Sequence, residues 1–425
     1  MKKWKWLIGF FLLAFLVFFP KIASTALGKP FFVKALEKKI GIQLEVSSLK
    51  LSWLGPQMFQ GVHFQKEGVL GSFEKLEIDA PFWSFSGPFH LKNGQIAYRG
   101  REVKEIQGQI IGNDFTLNGI TLNGHLALKG KIYSKLHFHL QLDIQQFPLV
   151  VIDPTLDEIF GPTLDLLGTV GMDQGEGRID LLVTAPNAKA HIQGILKETG
   201  ISLSDPVDVQ IRLTPAMSKL LFKDANPLFI TGLSANHPVT LRLEPSDFFF
   251  PLPYSLEKLQ VGKATLNLGK VVCQNGASLK IIMAILKATP RLNGDEMNAW
   301  FTPITFQIKQ GILKTGRLDA LLGDSVHVCT WGRIDLLNDK LHMNLGIPAD
   351  TLARAFGIKD LPPNYVLKIP FRGTTQHPDI NKGSAAAKIT ALIAASKIKG
   401  FSNFIIKKEP TDIPPPQLPF PWDKP

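Results

Sequence analysis

Only two cysteines, Cys273 and Cys329, occur in 425 residues. Neither belongs to a Cys-x-x-Cys pair, and two thiols cannot complete a structural zinc site. A disulfide between them is allowed in an oxidising compartment, and both also read as ordinary buried strand residues. Gly-x-Ser-x-Gly, His-Glu-x-x-His and Walker A sequences are absent; Gly262-Lys263-Ala264 lacks the upstream glycine of a phosphate loop. Asp319, Asp324 and Asp335 read as turn or polar-face residues and form no carboxylate pair suited to acid–base work. His137 and His139 point to one side of a strand, with no second cluster to complete a metal site. The residues therefore imply no enzyme, no metal and no cofactor. The net charge is +11 and the pI about 9.4. Its lysines are scattered, with no basic block interleaved with aromatics, so nucleic acid is not an expected partner. Such charge suits anionic lipid headgroups, or simply solubility. No repeat of fixed length occurs, which favours one growing antiparallel sheet over a propeller.

What is present fits many short strands and turns: 45% hydrophobic and 20% charged residues, with 36 Gly and 30 Pro. The length exceeds one compact core unless the fold is elongated. Met1 to Lys5 is basic, Trp6 to Phe19 is apolar apart from Gly9, and Pro20-Lys21 interrupts the run. A spanning helix needs roughly 20 apolar residues. Ser24-Thr25-Ala26 passes for a cleavage site, whereas Trp4 and Trp6 suit a membrane interface and Lys21 is ill placed before a cleaved bond. Residues 1–27 thus read as an uncleaved anchor, with a signal peptide as the alternative. Either carries the rest of the chain across the membrane.

Residues 28–150 read as a helix (Pro30 to Ile40) followed by a β-meander. Ile42, Leu44 and Val46 alternate, then Leu49, Leu51 and Trp53 alternate in the other phase, so a β-bulge is expected at Ser47-Ser48. Asn-Gly at 93–94, 118–119 and 123–124 signals hairpin turns. The clearest strand carries Leu136, Phe138, Leu140, Leu142 and Ile144 on one face and His137, His139, Gln141 and Asp143 on the other. Residues 151–300 form a central β-rich region with short helices at 154–160 and 215–222; residues 277–287 fit helix or strand. In residues 301–381 a second meander alternates Leu341, Met343 and Leu345, then Leu367, Ile369 and Phe371, around a short helix at Ala349 to Phe356. Residues 382–400 predict an amphipathic helix capped by Ser384, with Ile389, Leu392 and Ile393 as its stripe. That helix either caps the sheet or lies on a membrane surface. The Pro-rich tail, residues 401–425, is expected to be extended and disordered.

Two stretches carry a family resemblance. Gly332-Arg333-Ile334-Asp335-Leu336 and Ile369-Pro370-Phe371-Arg372-Gly373-Thr374, in that order around a short helix, resemble the C-terminal region of AsmA-like proteins of Gram-negative envelopes. Residues 41–64, with their Leu-x-Trp-x-Gly-Pro and Gly-Val elements, resemble the start of the same family. The resemblance implies an inner-membrane, single-pass protein with its bulk in the periplasm. It also implies an apolar β-groove for phospholipid acyl chains, as in the wider bridge-like lipid-transfer proteins.

The expected fold is accordingly mainly β with a few helices: an N-terminal membrane helix, an elongated, curved antiparallel sheet forming an apolar groove, and a C-terminal amphipathic helix. About twenty strand-like runs at ~4.8 Å spacing would give a sheet on the order of 100 Å long. The candidate groove lining is Leu136, Phe138, Leu140, Leu142, Ile144, Leu341, Met343, Leu345, Leu367, Ile369 and Phe371, with Trp4 and Trp6 at the membrane interface. A 16-carbon chain exposed to water costs roughly 12 kcal/mol at ~0.8 kcal/mol per CH₂, and an apolar trough removes most of that. The expected partners are membrane and phospholipid, with envelope proteins as further candidates. Two functions fit: phospholipid handling in envelope lipid transport or outer-membrane assembly, which needs an uncovered concavity, or a structural scaffold, which needs a closed sandwich.

Overall fold

The computed structural model describes residues 20–21, 23–25, 28–40, 43–66, 69–80, 87–98, 101–121, 123–134, 136–151, 154–215, 217–218, 233–274, 277–286, 296–375, 377–380, 382–397 and 413–423. The expected anchor lies almost wholly outside these residues, as do Trp4 and Trp6. Among the described residues no helix is long and apolar enough to cross a membrane. The chain forms two compact units, residues 1–186 and 187–425.

Unit 1 begins with α1 (Lys29–Ile40), as its sequence predicts. Ten strands follow: β1 (Gln43–Lys50), β2 (Gln57–Lys66), β3 (Val69–Ile78), β4 (Phe89–Tyr98), β5 (Arg101–Ile111), β6 (Asp114–Ile120), β7 (His125–Ser134), β8 (His137–Pro148), β9 (Thr163–Asp173) and β10 (Glu176–Ala185). A 3-10 turn (Leu149–Val151) and α2 (Pro154–Phe160) separate β8 from β9. Every strand pairs antiparallel with the next.

The phase slip at Ser47-Ser48 is real, but it is not a bulge between β1 and β2. Those strands stay in one-to-one register from Gln43 opposite Gln65 to Lys50 opposite Met58. Both strands slip together, so Val46 and Leu49 of β1 and Phe59 and Val62 of β2 are buried three residues apart. Gly61, opposite the slip, has φ +57, where a Cβ would meet the Ser47 side chain at 2.4 Å. The slip persists into β5, where Val103 and Ile106 are buried three residues apart. The register shifts at β4–β5 and β5–β6, near Asn93 and Glu105 with φ of 49° and 51°, take it up.

Unit 2 contains β11 (Ala188–Lys197), β12 (Gly200–Leu203), β13 (Val207–Ile211), β14 (Leu233–Ser234), β15 (Val239–Leu243), β16 (Phe250–Pro251), β17 (Gln260–Asn267), β18 (Gly269–Gln274), β19 (Glu296–Phe301), β20 (Ile304–Lys309), β21 (Ile312–Leu322), β22 (Val326–Asp335), β23 (Lys340–Pro348), β24 (Val366–Gly373) and β25 (Pro378–Ile380). Its described helices include α3 (Ala277–Leu286), α4 (Ala349–Phe356) and α5 (Lys382–Ala395), so the ambiguous 277–287 stretch is helical over 277–286. Most of the expected helix at 215–222 lies outside the described residues. One antiparallel ladder runs β11, β13, β15, β17, β20, β21, β22, β23, β24, β25. A branch leaves β21 through β19, β18 and β14.

The branch exists because three chains bend at one level. β17 passes into β18 at Leu268-Gly269, where Gly269 has φ +59. β19 passes into β20 at Thr302-Pro303, where proline has no N–H to offer a ladder. Within β21 the register shifts between Thr315 and Leu318. Leu268, Phe301, Leu318 and Leu322, which surround these bends in sequence, are all sealed from solvent. Helix α5 buries Ala385, Ile389 and Leu392 and touches α3, so its narrow stripe is packed within unit 2.

Candidate functional site

Ten strands in fixed register give unit 1 one continuous apolar face. Ile144, Leu142 and Phe138 of β8 stand opposite Leu126, Leu128 and Ile132 of β7, and Leu140 opposite Gly130. Toward β9 the same residues face Leu166, Gly168 and Met172, with Val170 beside Leu140. Ile179, Leu181 and Val183 of β10 extend the row, and Phe115 and Leu117 of β6 continue it the other way. The opposite face carries His137, His139, Gln141 and Asp143. His137 and His139 are exposed, and His137 stands 3.7 Å from Asp173. Among the described residues no group of three metal-ligating side chains occurs.

At the Phe147 end of β8 the sheet turns toward this apolar face. Phe147, at the end of β8, packs against the buried cluster Leu91, Val103 and Ile106 on β4 and β5, and the Leu149–Val151 turn touches both of those strands. At ~4.8 Å per strand, β8 would stand about 19 Å from β4 across a flat sheet. Contact between them requires the sheet to curl around its apolar side. Coverage then divides the strands. Leu49, Phe59 and Val62 near α1 are buried, whereas Phe138, Leu140, Leu142 and Ile144 are only half-buried. Leu136 lies in the turn before β8 and is 38% exposed.

The other candidate lining residues are placed differently. Leu341, Met343, Leu345, Leu367, Ile369 and Phe371 are all buried, with Met343 and Phe371 at 0% exposure. Pairing brings them together, with Met343 opposite Phe371 and Leu345 opposite Ile369. They form a closed core in unit 2 and present no surface to a ligand in this state.

Sequence reasoning missed a buried charge network on the other face of this sheet, on the neighbouring strands β21 and β22. Asp319, expected in a turn or on a polar face, has no exposed surface. It accepts hydrogen bonds from Arg317 Nε at 2.9 Å and Nη2 at 2.8 Å, and it stands 3.0 Å from His327 Nε2. The other His327 nitrogen, Nδ1, is 3.1 Å from Asp350 on α4. Pro348 opens that helix, and Gly357 closes it with φ 71. Thr351 fixes the helix against β22: its hydroxyl donates to the His327 carbonyl at 2.7 Å and accepts from the His327 N–H at 3.1 Å. Burial lowers the affinity of His327 for a proton, but hydrogen bonds to Asp319 and Asp350 outweigh it, and the ring is held above its usual range. A doubly paired imidazolium has no free lone pair to accept a proton, so this constellation is a clamp and not a general base. The only available signal was Arg317-Leu318-Asp319, opposite charges two apart on a strand.

The clamp organises the C-terminal tail. Residues 413–417 carry no regular structure, a bend follows at 418–419, and Pro421–Asp423 form a 3-10 turn, all packed against unit 2. Arg317 Nη1 donates to the Pro414 carbonyl at 3.2 Å, and Gln417 Nε2 donates to the Pro303 carbonyl at 3.0 Å. Phe420 and Trp422 stack with centroids 4.7 Å apart, and each meets the His327 ring edge-on, at 5.0 and 5.4 Å. Ile413 packs against Cys329, Trp331 and Val366. Of the tail expected to be disordered, residues 401–412 lie outside the described residues. Residues 413–423 dock because a proline segment loses little entropy on docking and the buried arginine has a donor left over for it. Replacing Trp422 by alanine is expected to cost unit 2 about 1–3 kcal/mol, read by denaturant unfolding; an unchanged midpoint would mean that the tail adds nothing to stability.

Cys273 and Cys329 are both buried free thiols, and burial pushes the Cys273 thiol up to about 12. No protein-family model matches the chain, and no characterised protein or solved structure does so either.

Proposed function

We propose that this chain is a membrane-anchored, periplasm-facing protein that handles phospholipids without catalysis, and that acyl chains lie in the concavity of unit 1. One observation supports this above the others. The apolar face of β6 to β10 is only half-covered by its own chain, and the sheet turns toward that face where Phe147 meets β4 and β5. Half-exposed leucine and phenylalanine side chains on a curled sheet leave transfer free energy unused, at ~25 cal/mol per Å². A lipid tail can supply the missing cover, with its headgroup at the open edge in water. The resemblance of residues 41–64 and 332–374 to AsmA-like proteins supports the envelope setting. The closed core of unit 2 fits the scaffold reading for that half, so the acyl-chain role belongs to unit 1.

Purification of the full chain in mild detergent, followed by lipid mass spectrometry, tests the proposal. Phospholipid is expected to co-purify with the wild type. Phe138→Asp is expected to remove at least nine-tenths of it, because a carboxylate on an apolar wall opposes acyl chains by several kcal/mol. The fold should survive, since Phe138 is only half-buried. A lipid-free wild type, or a variant that keeps its lipid, would falsify the proposal.

A further inference from the structure

A cleft of about 820 Å³ opens on the surface of unit 2, between the β17, β20 and β21 strands and the start of the tail at Pro414. Its position follows from two irregularities in the ladder. β17 breaks register with β20 between Val261 and Ala264, and β21 breaks register with β22 between Thr315 and Leu318. Bulges of this kind re-aim side chains and leave a hollow in the sheet surface. Gly316 lines that hollow, where a Cβ would meet the Thr305 hydroxyl at 2.4 Å.

The permanent charges that line the cleft, Lys263, Lys314 and Arg333, are all positive. Lys314, Arg333 and His342 stand directly opposite one another on three neighbouring strands, and Lys263 of β17 joins them. All four are exposed. Among the described residues their side chains have no hydrogen-bond or ion-pair partner, and no carboxylate lines the cleft. The nearest acid on that face, Asp335, is held in its own turn by Leu337 and Asn338 at 2.9 to 3.1 Å. Cations placed directly opposite each other destabilise a sheet. The same unit avoids this elsewhere: Arg242 of β15 pairs with Asp208 across the strands and with Glu244, both at 2.9 Å. The Lys314–Arg333 pair therefore has a cost that no described residue offsets. Beside it, Ile312 is 39% exposed, and Phe306 and Pro414 are half-buried. The cleft is thus cationic on one side and apolar on the other.

We infer that this cleft binds the phosphodiester headgroup of a phospholipid, an inference that rests on the lipid-handling role proposed above. Arg333 suits bidentate contact with two phosphate oxygens, Lys314 and Lys263 supply point charges, and the His342 ring offers an N–H donor. The glycerol end, with the first carbons of the tails, fits against Ile312 and Phe306. Inorganic phosphate shares the anionic chemistry but lacks the apolar part, so it should bind less tightly.

The test uses the full chain in neutral detergent. It is titrated with dihexanoyl-phosphatidylglycerol, glycerol 3-phosphate and inorganic phosphate, with binding read by ligand-observed NMR. The short-chain lipid is expected to bind saturably, at least tenfold more tightly than inorganic phosphate, and to weaken as salt rises. The double variant Lys314→Gln/Arg333→Gln is expected to lose at least tenfold in affinity. Its ligand-free melting temperature should be unchanged or higher, because repulsion has been removed. Phe138→Asp, in the other unit, should leave this affinity intact while losing co-purified lipid, so the two ideas fail separately. An unaltered affinity in the double variant overturns the inference. So does a lowered melting temperature, which would make the cations structural. Inorganic phosphate binding as tightly as the lipid overturns the headgroup assignment.

Discussion

Asp319→Ala is expected to destabilise unit 2 by roughly 3–5 kcal/mol, because it strips one partner from a buried ion network and leaves the others uncompensated. Asp319 has no exposed surface, Arg317 is 6% exposed and His327 is 4% exposed. Removing the carboxylate leaves a guanidinium and an imidazolium without their shared acceptor. The tail should loosen as well, since Arg317 and His327 are its anchors. For a unit of this size the melting temperature should fall on the order of 10 °C, and denaturant unfolding with hydrogen exchange on β21 and β22 would assign the loss to unit 2. A change below about 1 kcal/mol would sink the clamp assignment.

The same network fixes the sign of a pH effect. Burial opposes protonation of His327, but Asp319 and Asp350 win, so its folded pKa lies above the usual 6.5. A raised pKa contributes stability that is fully present below the unfolded value and is lost as pH rises through the folded value. Burial likewise works to raise the Asp350 pKa, but the His327 hydrogen bond and charge, with Arg354, lower it below 3.8. Its share is present above the unfolded value and is lost as pH falls through the folded one. Unit 2 should therefore be most stable in mildly acidic solution and lose stability toward alkaline pH. His327→Gln should flatten the alkaline side of a pH–stability profile, and an equally steep profile in that variant would assign the effect elsewhere.

Phe371→Ala is expected to cost about 3–5 kcal/mol, the usual range for a fully buried phenylalanine, whose loss leaves a cavity. Phe371 sits between Met343 on β23 and Ile380 on β25, with 0% exposure. Phe138→Ala should cost nearer 1 kcal/mol, because its ring is only half out of water and the site opens to solvent. The two phenylalanines occupy equivalent places in their sequence patterns, each in an alternating strand, so the difference isolates tertiary cover. Equal losses in urea unfolding would show that the unit 1 face is as closed as the unit 2 core.

That pair marks the division between what sequence determined and what tertiary structure decided. Period-two alternation is a property of the backbone, and it made most strands and their faces legible. Of the three Asn-Gly turn signals only 123–124 falls between strands. The pair at 118–119 lies inside β6, and 93–94 lies inside β4, where Asn93 takes up a register shift instead. β8 carries Phe138, Leu140, Leu142 and Ile144 on one face and β24 carries Leu367, Ile369 and Phe371, as read from the residues. Helices α1, α4 and α5 were equally plain. Alternation says which side chains share a face; it does not say what covers that face. Cover comes from elements distant in sequence, so the open wall in unit 1 and the closed core in unit 2 look alike in one dimension. The clamp was hidden for the same reason. Asp319, His327 and Asp350 are separated by strand and helix boundaries, and each alone reads as a polar-face residue. Only the bend in β21, the packing of α4 and the return of the tail bring them together. The tail's proline content determined that it would be extended, but its docking depended on an arginine about 97 residues away. The paired cations became visible only when antiparallel register set Lys314 opposite Arg333, with His342 beside them, since charge scattered along a chain has no sign pattern until a sheet aligns it.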